Sequence, residues 1–530
     1  VILDNANILT MDEALPRISA LAIAGGYVLG GVDSREDAIA SHAHERVDLD
    51  GMTVVPGFVD AHVHTSGVAI DQSLVPLGEA TNIDDVLSIV RATAGNAPDV
   101  STDWCIGRGW RDELIARQQA RPDTLHDAAG ERPCVLIAQD GHSIWITEHA
   151  LLELGISWSD LELPGGVVER TPDGSPTGIV REASAAFIRE RIPFPAPTTS
   201  QLARIVRDAA RLGVTCIHDL DGAAGLRTWR ALDRERGLQV RVVQHLLATD
   251  LPHAAALGVD GGFGSDRLRI GGIKVFLDGT LGSGTAWMHA RGDQPARGVA
   301  LLDREQLEEL ARDAAAAGFP LLIHAIGDAA CTTAVDALAA TSEQWSRLHA
   351  CPRIEHAQVM RIEDMRRCAE LGIALSIQPS HLLTDRDLAE RAWADRLDDA
   401  YAWQAMVEAG CRILLGSDAP VEPISPLGAL TTATTRDGGA HGLSPSRGPW
   451  RVDQCLDPMD ALRACTSWAA DATGTASWVG RLTPGRVADL VVLSDDPMDV
   501  GWANVEVVAT MVHGRWTYGA ANLAPARTRI

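Results

Sequence analysis

The alternation of hydrophobic and polar positions changes texture twice along the chain. Residues 1–52 read as short strands with tight turns: VILDNANIL, then ALAIAGGYVLGGV with a Gly-Gly hairpin signal, then RVDLDGMTVV. That texture returns only near the other end, in GRVADLVVLSDDP and VEVVATMVHGRWTYG. Between them, short apolar runs alternate with helical periodicity. In QLARIVRDAARLG the apolar stripe is Leu202, Ile205, Val206, Ala209 and Leu212; in REQLEELARDAAAAG it is Leu307, Leu310, Ala311 and Ala314. Candidate strands are Val54–Val59, Val214–His218, Val242–Leu246, Ile270–Leu277, Pro320–His324, Arg353–His356, Ile373–Ile377 and Arg412–Leu415.

Eight strands alternating with helices predict an α/β chain built on a (β/α)8 TIM barrel. The stretch from about 66 to 200, between the first two strands, is far longer than one crossover needs. The expected organisation is therefore a barrel over 53–479 with an inserted subdomain at 66–200, and a small β-sandwich domain formed by both termini, 1–52 and 480–530.

A barrel of this kind carries its chemistry at the C-terminal ends of its strands. The first strand ends in PGFVDAHVH, where His62 and His64, one residue apart, leave the same face of an extended chain. Later strands end in His324 (LLIHAIGD), His356 (RIEHAQ) and Asp418 (LLGSDAPV), and the fourth passes through Lys274 (GGIKVFLDGT). Ligand-type residues from independent strand ends point to a metal site at one barrel mouth. His42 and His44 share the H-x-H spacing but stand among polar residues, in what reads as a solvated loop.

These motifs resemble the amidohydrolase superfamily of metal-dependent hydrolases. The segments DGHS, PTGIVRE, IKVFLDGTLGSGTAWM, SIQPSHL and GRVADLVVL resemble its amidohydrolase-3 branch, similar to YtcJ-like proteins and N-substituted formamide deformylases. The resemblance implies two Zn2+ ions or another divalent metal, with His62 and His64 on the more buried ion and His324 and His356 on the more exposed one. It implies that Lys274, as a carbamate formed with CO2, bridges them, and that Asp418 binds metal and moves protons. Asp418, Lys274 and His356 are then the expected catalytic residues. The expected reaction is hydrolysis of an amide- or formamide-type C–N bond, not a peptide bond, in a small N-acyl or N-formyl compound. The alternatives are a mononuclear deaminase- or cyclic-amide-hydrolase-type enzyme, or a non-catalytic protein on the same frame. Expected substrate contacts are His142, His218, Gln378, His381 and Trp287. Asp219 is expected to orient a ligand or cap a helix, and Asp278 to shape a loop beneath the metals. Trp104, Trp110, Trp145 and Trp287 fall near predicted mouth loops, although tryptophan more often serves a core.

Composition narrows the partners. A formal charge of −25, with 46 basic and 71 acidic residues, excludes a nucleic-acid binder, which needs a basic stripe. The nine scattered cysteines read as small buried hydrophobes of a reduced compartment, and no apolar run is long enough to span a bilayer. A cytoplasmic protein acting on a small molecule, without nucleic-acid or membrane partners and with room for a homodimer, is the expectation. One count matters more: among 46 basic residues the only lysine is Lys274. Guanidinium stays protonated and cannot take up CO2, whereas a buried lysine amine can. The lone lysine therefore stands at the position where arginine could not substitute.

Overall fold

The computed structural model describes residues 1–32, 46–95, 104–110, 121–138, 143–163, 166–282, 284–437 and 448–523. The chain divides into two compact units, one of residues 1–65 with 198–530 and one of residues 66–197.

The larger unit holds the barrel. Its eight parallel strands are β1 (Phe58–Val63), β2 (Val214–Asp219), β3 (Arg241–Leu247), β4 (Leu268–Phe276), β5 (Leu321–Ala325), β6 (Arg353–His356), β7 (Ala374–Ile377) and β8 (Ile413–Leu415), hydrogen-bonded in that order. A parallel bridge from Val63 to Ala419, just beyond β8, brings the last strand round to the first. Helices between the strands bury the stripes read from the sequence. Thr199–Arg211 is capped by Thr198 with Gln201 in a capping box and buries Leu202, Ile205, Val206 and Ala209. Leu212 departs from the expectation: it lies past the last turn and is 39% exposed, because Gly213, at φ +86°, turns the chain into β2. Arg304–Ala316, capped by Asp303, buries Leu307, Ala311 and Ala314.

The first strand also differs from expectation. Val54–Val59 is not one strand: Thr53–Pro56 pairs with Asn7–Leu9 and Leu490–Leu493, and β1 begins at Phe58. The break falls at Gly57, where a Cβ would lie 2.1 Å from the Thr215 hydroxyl oxygen, so only glycine passes. Thr53–Pro56 belongs to a six-stranded sheet that, with a four-stranded sheet of Ile2–Asp4, Ala20–Ala24, Tyr27–Val32 and Arg46–Asp48, encloses a core including Leu3, Ile8, Leu21, Val54, Leu490 and Met511. Gly25 and Gly26, both at positive φ, make the two-residue hairpin turn between Ala24 and Tyr27. Arg241 at the start of β3 is fixed by Asp489, with Nε 2.5 Å from Oδ2 and a guanidinium nitrogen 3.0 Å from Oδ1.

The smaller unit is a six-stranded sheet in the order Gly166–Arg170, Pro176–Glu182, Ser143–Ile146, Cys134–Ala138, Cys105–Trp110, Val75–Pro76. Cys134–Ala138 is apolar at every position because both faces are covered: Leu136 joins one core with Trp110 and Trp145, while Val135 and Ile137 join another with Ile144 and Leu151. No cysteine forms a disulfide. Among the described residues no helix is long and apolar enough to cross a membrane.

Candidate metal centre

His62 stands next to the last residue of β1, and backbone bonds set Asp418 beside it: Asp418 N–H donates to His62 O (2.7 Å) and His64 N–H to Ala419 O (2.8 Å). Asp418 Oδ1 then lies 3.3 Å from Nε2 of both His62 and His64. β5 and β6, paired with Ala325 opposite His356, deliver His324 and His356. The His356 ring stands 4.9 Å from that of His62 and 4.6 Å from that of His324. His356 (φ 74°) and Asp418 (φ 57°) both sit in the left-handed region. Such conformations cost on the order of 1 kcal/mol or more in non-glycine residues and cluster at functional sites.

The far side of each ring decides what the near side offers. His62 Nδ1 is 2.7 Å from Glu355 Oε2, and His64 Nδ1 is 3.0 Å from Asp221 Oδ1. His356 Nδ1 is 2.7 Å from Gln378 Oε1, and His324 Nε2 is 3.2 Å from Gly279 O. All four partners are acceptors, so each ring directs an N–H outward and turns its other nitrogen toward the cluster. Asp221 and Asp418 raise His64 to about 10 against burial, so near neutral pH this ring carries a proton on both nitrogens. His62 Nε2, Lys274 Nζ and His381 Nε2 are buried with no hydrogen-bond partner among the described residues. Ligand atoms of His62, His64 and Asp418 lie within 4.8 Å of one another, as do those of His356, His381 and Asp418. Inward-facing imidazole nitrogens around an ionised carboxylate fit a divalent cation.

Burial sets the charges. It pushes Lys274 down to about 8, against the pull of Glu355 and Asp418. It pushes His324 down to about 3 and His356 well below the ordinary imidazole range, so both are neutral. Burial alone would raise Glu355, but Arg353 and His62 outweigh it and hold the carboxyl well below the usual range. Asp418 is likewise raised by burial and held well below by His62 and His64.

The other sequence candidates are placed as follows. Gln378 is the acceptor for His356. His381 stacks on His356 with centroids 6.2 Å apart, its Nε2 3.6 Å from Asp418 Oδ2. His218 is buried within the barrel, with Nδ1 3.0 Å from Arg353. The half-buried Trp287 donates its backbone N–H to Asp278, which also accepts from Ile326 and Gly327 and so shapes the loop after β4. Asp219 accepts from Thr65, Trp229 and the backbone of Asp221, and steadies His64 through Asp221. Trp110 and Trp145 are core residues of the smaller unit, which removes them as aromatic lining. His142, His42 and His44 lie outside the described residues.

Sequence reasoning missed Asp221, Glu355 and Arg353. For the last two a signal existed: RIEH puts two charges into a strand buried at all four positions. Arg353 donates to Glu355 (2.8 Å) and to Ala61 O (3.0 Å), and Glu355 holds His62.

Comparison with known proteins agrees with this geometry. The Amidohydro_3 family, described as the amidohydrolase family, matches residues 45–518. YtcJ of Bacillus subtilis, provisionally named as an amidohydrolase, is 29% identical over 96% of this chain and 98% of its own. The N-substituted formamide deformylase of Arthrobacter pascens is 27% identical over 97% of each chain. The crystal structure of a metal-dependent hydrolase from Pyrococcus horikoshii superposes with a TM-score of 0.78 at 26% identity, covering 95% of this chain and 99% of that one. A barrel whose strand ends gather inward-facing imidazoles, matched by the family along nearly its whole length, leaves one conclusion: the chain belongs to the amidohydrolase family of metal-dependent hydrolases.

Proposed function

We propose that the chain hydrolyses the C–N bond of a small N-acyl or N-formyl amine, with His62, His64, His324, His356 and Asp418 holding Zn2+ and Lys274 completing the site as a carbamate. The observation that carries this reading is the outward hydrogen bond on every one of the four imidazoles, which turns the other nitrogen of each toward the site; on His64 a cation would take the place of the proton that Asp221 and Asp418 hold there. A divalent ion there supplies Lewis acidity to the acyl carbonyl and acidifies the attacking water. Asp418, ionised near neutral pH, takes the proton released as water adds to the acyl carbon. It returns that proton to the departing nitrogen, so the C–N bond breaks to an amine and a carboxylic acid, formate in the case of a formamide. Lys274 Nζ, lowered toward neutrality and without a hydrogen bond, adds to CO2 and loses a proton; the resulting carbamate would offer two oxygens that share one negative charge. Gln378 and Glu355 keep His356 and His62 in the tautomer the reaction needs. The relative named as a formamide deformylase supports an N-formyl substrate.

One observation favours a second reading with a single ion. His62, His64 and Asp418 form a close group by themselves, and the other close group contains His381 in place of His324. Metal content separates the two: about two ions per chain in the active protein supports the first reading, and about one with full activity the second. The activity itself is tested by assaying the metal-loaded chain on N-formyl amines, N-acyl amino acids, dipeptides and cyclic ureas. Formate or acid release that chelation abolishes and Zn2+ restores is the expected result. Turnover of none of these compounds, or turnover insensitive to chelation, overturns the proposal.

A further inference from the structure

The opposite end of the barrel, where the strands begin, contains a cavity of about 500 Å³ that the hydrolytic reading does not use. His245 on β3, Arg269 on β4 and Arg353 on β6 line it together with Arg347 and Trp478. His245 is 2% exposed. Its ring seats against Gly271, where a Cβ would come within 2.4 Å of it, and its Nδ1 accepts the Gly272 N–H at 2.8 Å. Burial and the nearby Arg353 hold this imidazole well below its ordinary range, so it is neutral. A neutral ring that accepts at Nδ1 carries its proton at Nε2. That Nε2–H is buried with no acceptor among the described residues. Arg269 Nε is a second buried donor in the same condition.

The wall around these donors is cationic and aromatic. The guanidinium carbons of Arg241 and Arg269 lie 4.9 and 5.0 Å from the Trp478 ring centroid. Asp489 already engages Arg241, and Glu355, His218 and Ala61 occupy Arg353, but Arg269 has no carboxylate partner among the described residues. Asp260 is the one acidic residue lining the cavity, against Arg269, Arg347 and Arg353, in a chain whose formal charge is −25. A guanidinium without a carboxylate partner, set in a cationic and aromatic pocket, suits an acceptor that brings negative charge.

We propose that this cavity binds a small organic anion, whose carboxylate or phosphate group accepts from the Arg269 guanidinium and whose body packs against Trp478. The proposal is independent of the hydrolytic reading. Its test is a calorimetric titration of the full-length, zinc-loaded protein with inorganic phosphate and, separately, with benzoate. The expected result is one saturable site per chain for at least one probe, weakened tenfold or more in both Arg269→Gln and Trp478→Ala and retained in Asp418→Asn; the probe that binds identifies the headgroup. Absence of saturable binding by either anion overturns the proposal. Binding that survives both cavity substitutions overturns it as well, since that anion sits elsewhere.

Discussion

His62 and His245 are two buried histidines toward opposite ends of one barrel, and they carry their ring proton on opposite nitrogens. His62 turns Nδ1 to a carboxylate oxygen of Glu355, at 2.7 Å, which fixes the proton on Nδ1 and a lone pair on Nε2. His245 turns Nδ1 to the Gly272 N–H, at 2.8 Å, which fixes the lone pair on Nδ1 and the proton on Nε2. In both residues Nε2 is buried without a hydrogen bond, and that of His62 faces Asp418 Oδ1 at 3.3 Å. The residue type is the same; the group behind the ring decides whether the other nitrogen carries a lone pair or a proton.

The contrast can be broken from the metal side first. Asp418→Asn or His62→Ala removes a ligand-type group from the mouth, several kcal/mol of charge stabilisation, and is expected to lower kcat/KM by about 10³ or more; steady-state kinetics on the best substrate of the panel measures this. Glu355→Gln keeps the size of the side chain and removes the charge that fixes the His62 tautomer. A loss of about 10–100-fold in metal affinity is expected, read by competition with a chromophoric chelator. An unchanged affinity would detach the tautomer from the site. Gln378→Leu strips the acceptor from His356 Nδ1 and is expected to sit near the lower end, about tenfold. The smallest effect belongs to the other end of the barrel: Arg269→Gln leaves metal content unchanged and moves kcat/KM by less than about twofold, within the ±0.5 kcal/mol usual for substitutions away from a site.

The sequence made the strand ends legible because each ligand-type residue there follows an apolar run whose length a barrel explains. His62, His64, His324, His356 and Asp418 could be assembled from that alone. The break at Gly57 was not legible, since it depends on Thr215, a residue 158 positions away that occupies the space a Cβ needs. Asp221 was equally hidden, because an acid after HDL reads as a helix cap until the β2 turn brings it to His64. Glu355 and Arg353 stood in the apolar strand in plain view, but what they hold is set by β1 across the barrel interior. His245 was passed over for the same reason: its partner is a backbone N–H on the next strand, which no side-chain pattern announces. Lys274 is the opposite case, a composition singularity visible in the sequence and buried in the structure without a hydrogen bond.

The claim that outward hydrogen bonds aim ring nitrogens at a cation is tested most directly by anomalous diffraction at the zinc edge from crystals of the zinc-loaded chain. The account predicts metal at about 2.0–2.1 Å from Nε2 of His62, His64 and His356 and from Nδ1 of His324. Metal bonded through Nδ1 of His62, or no anomalous density among these residues in active protein, would contradict it.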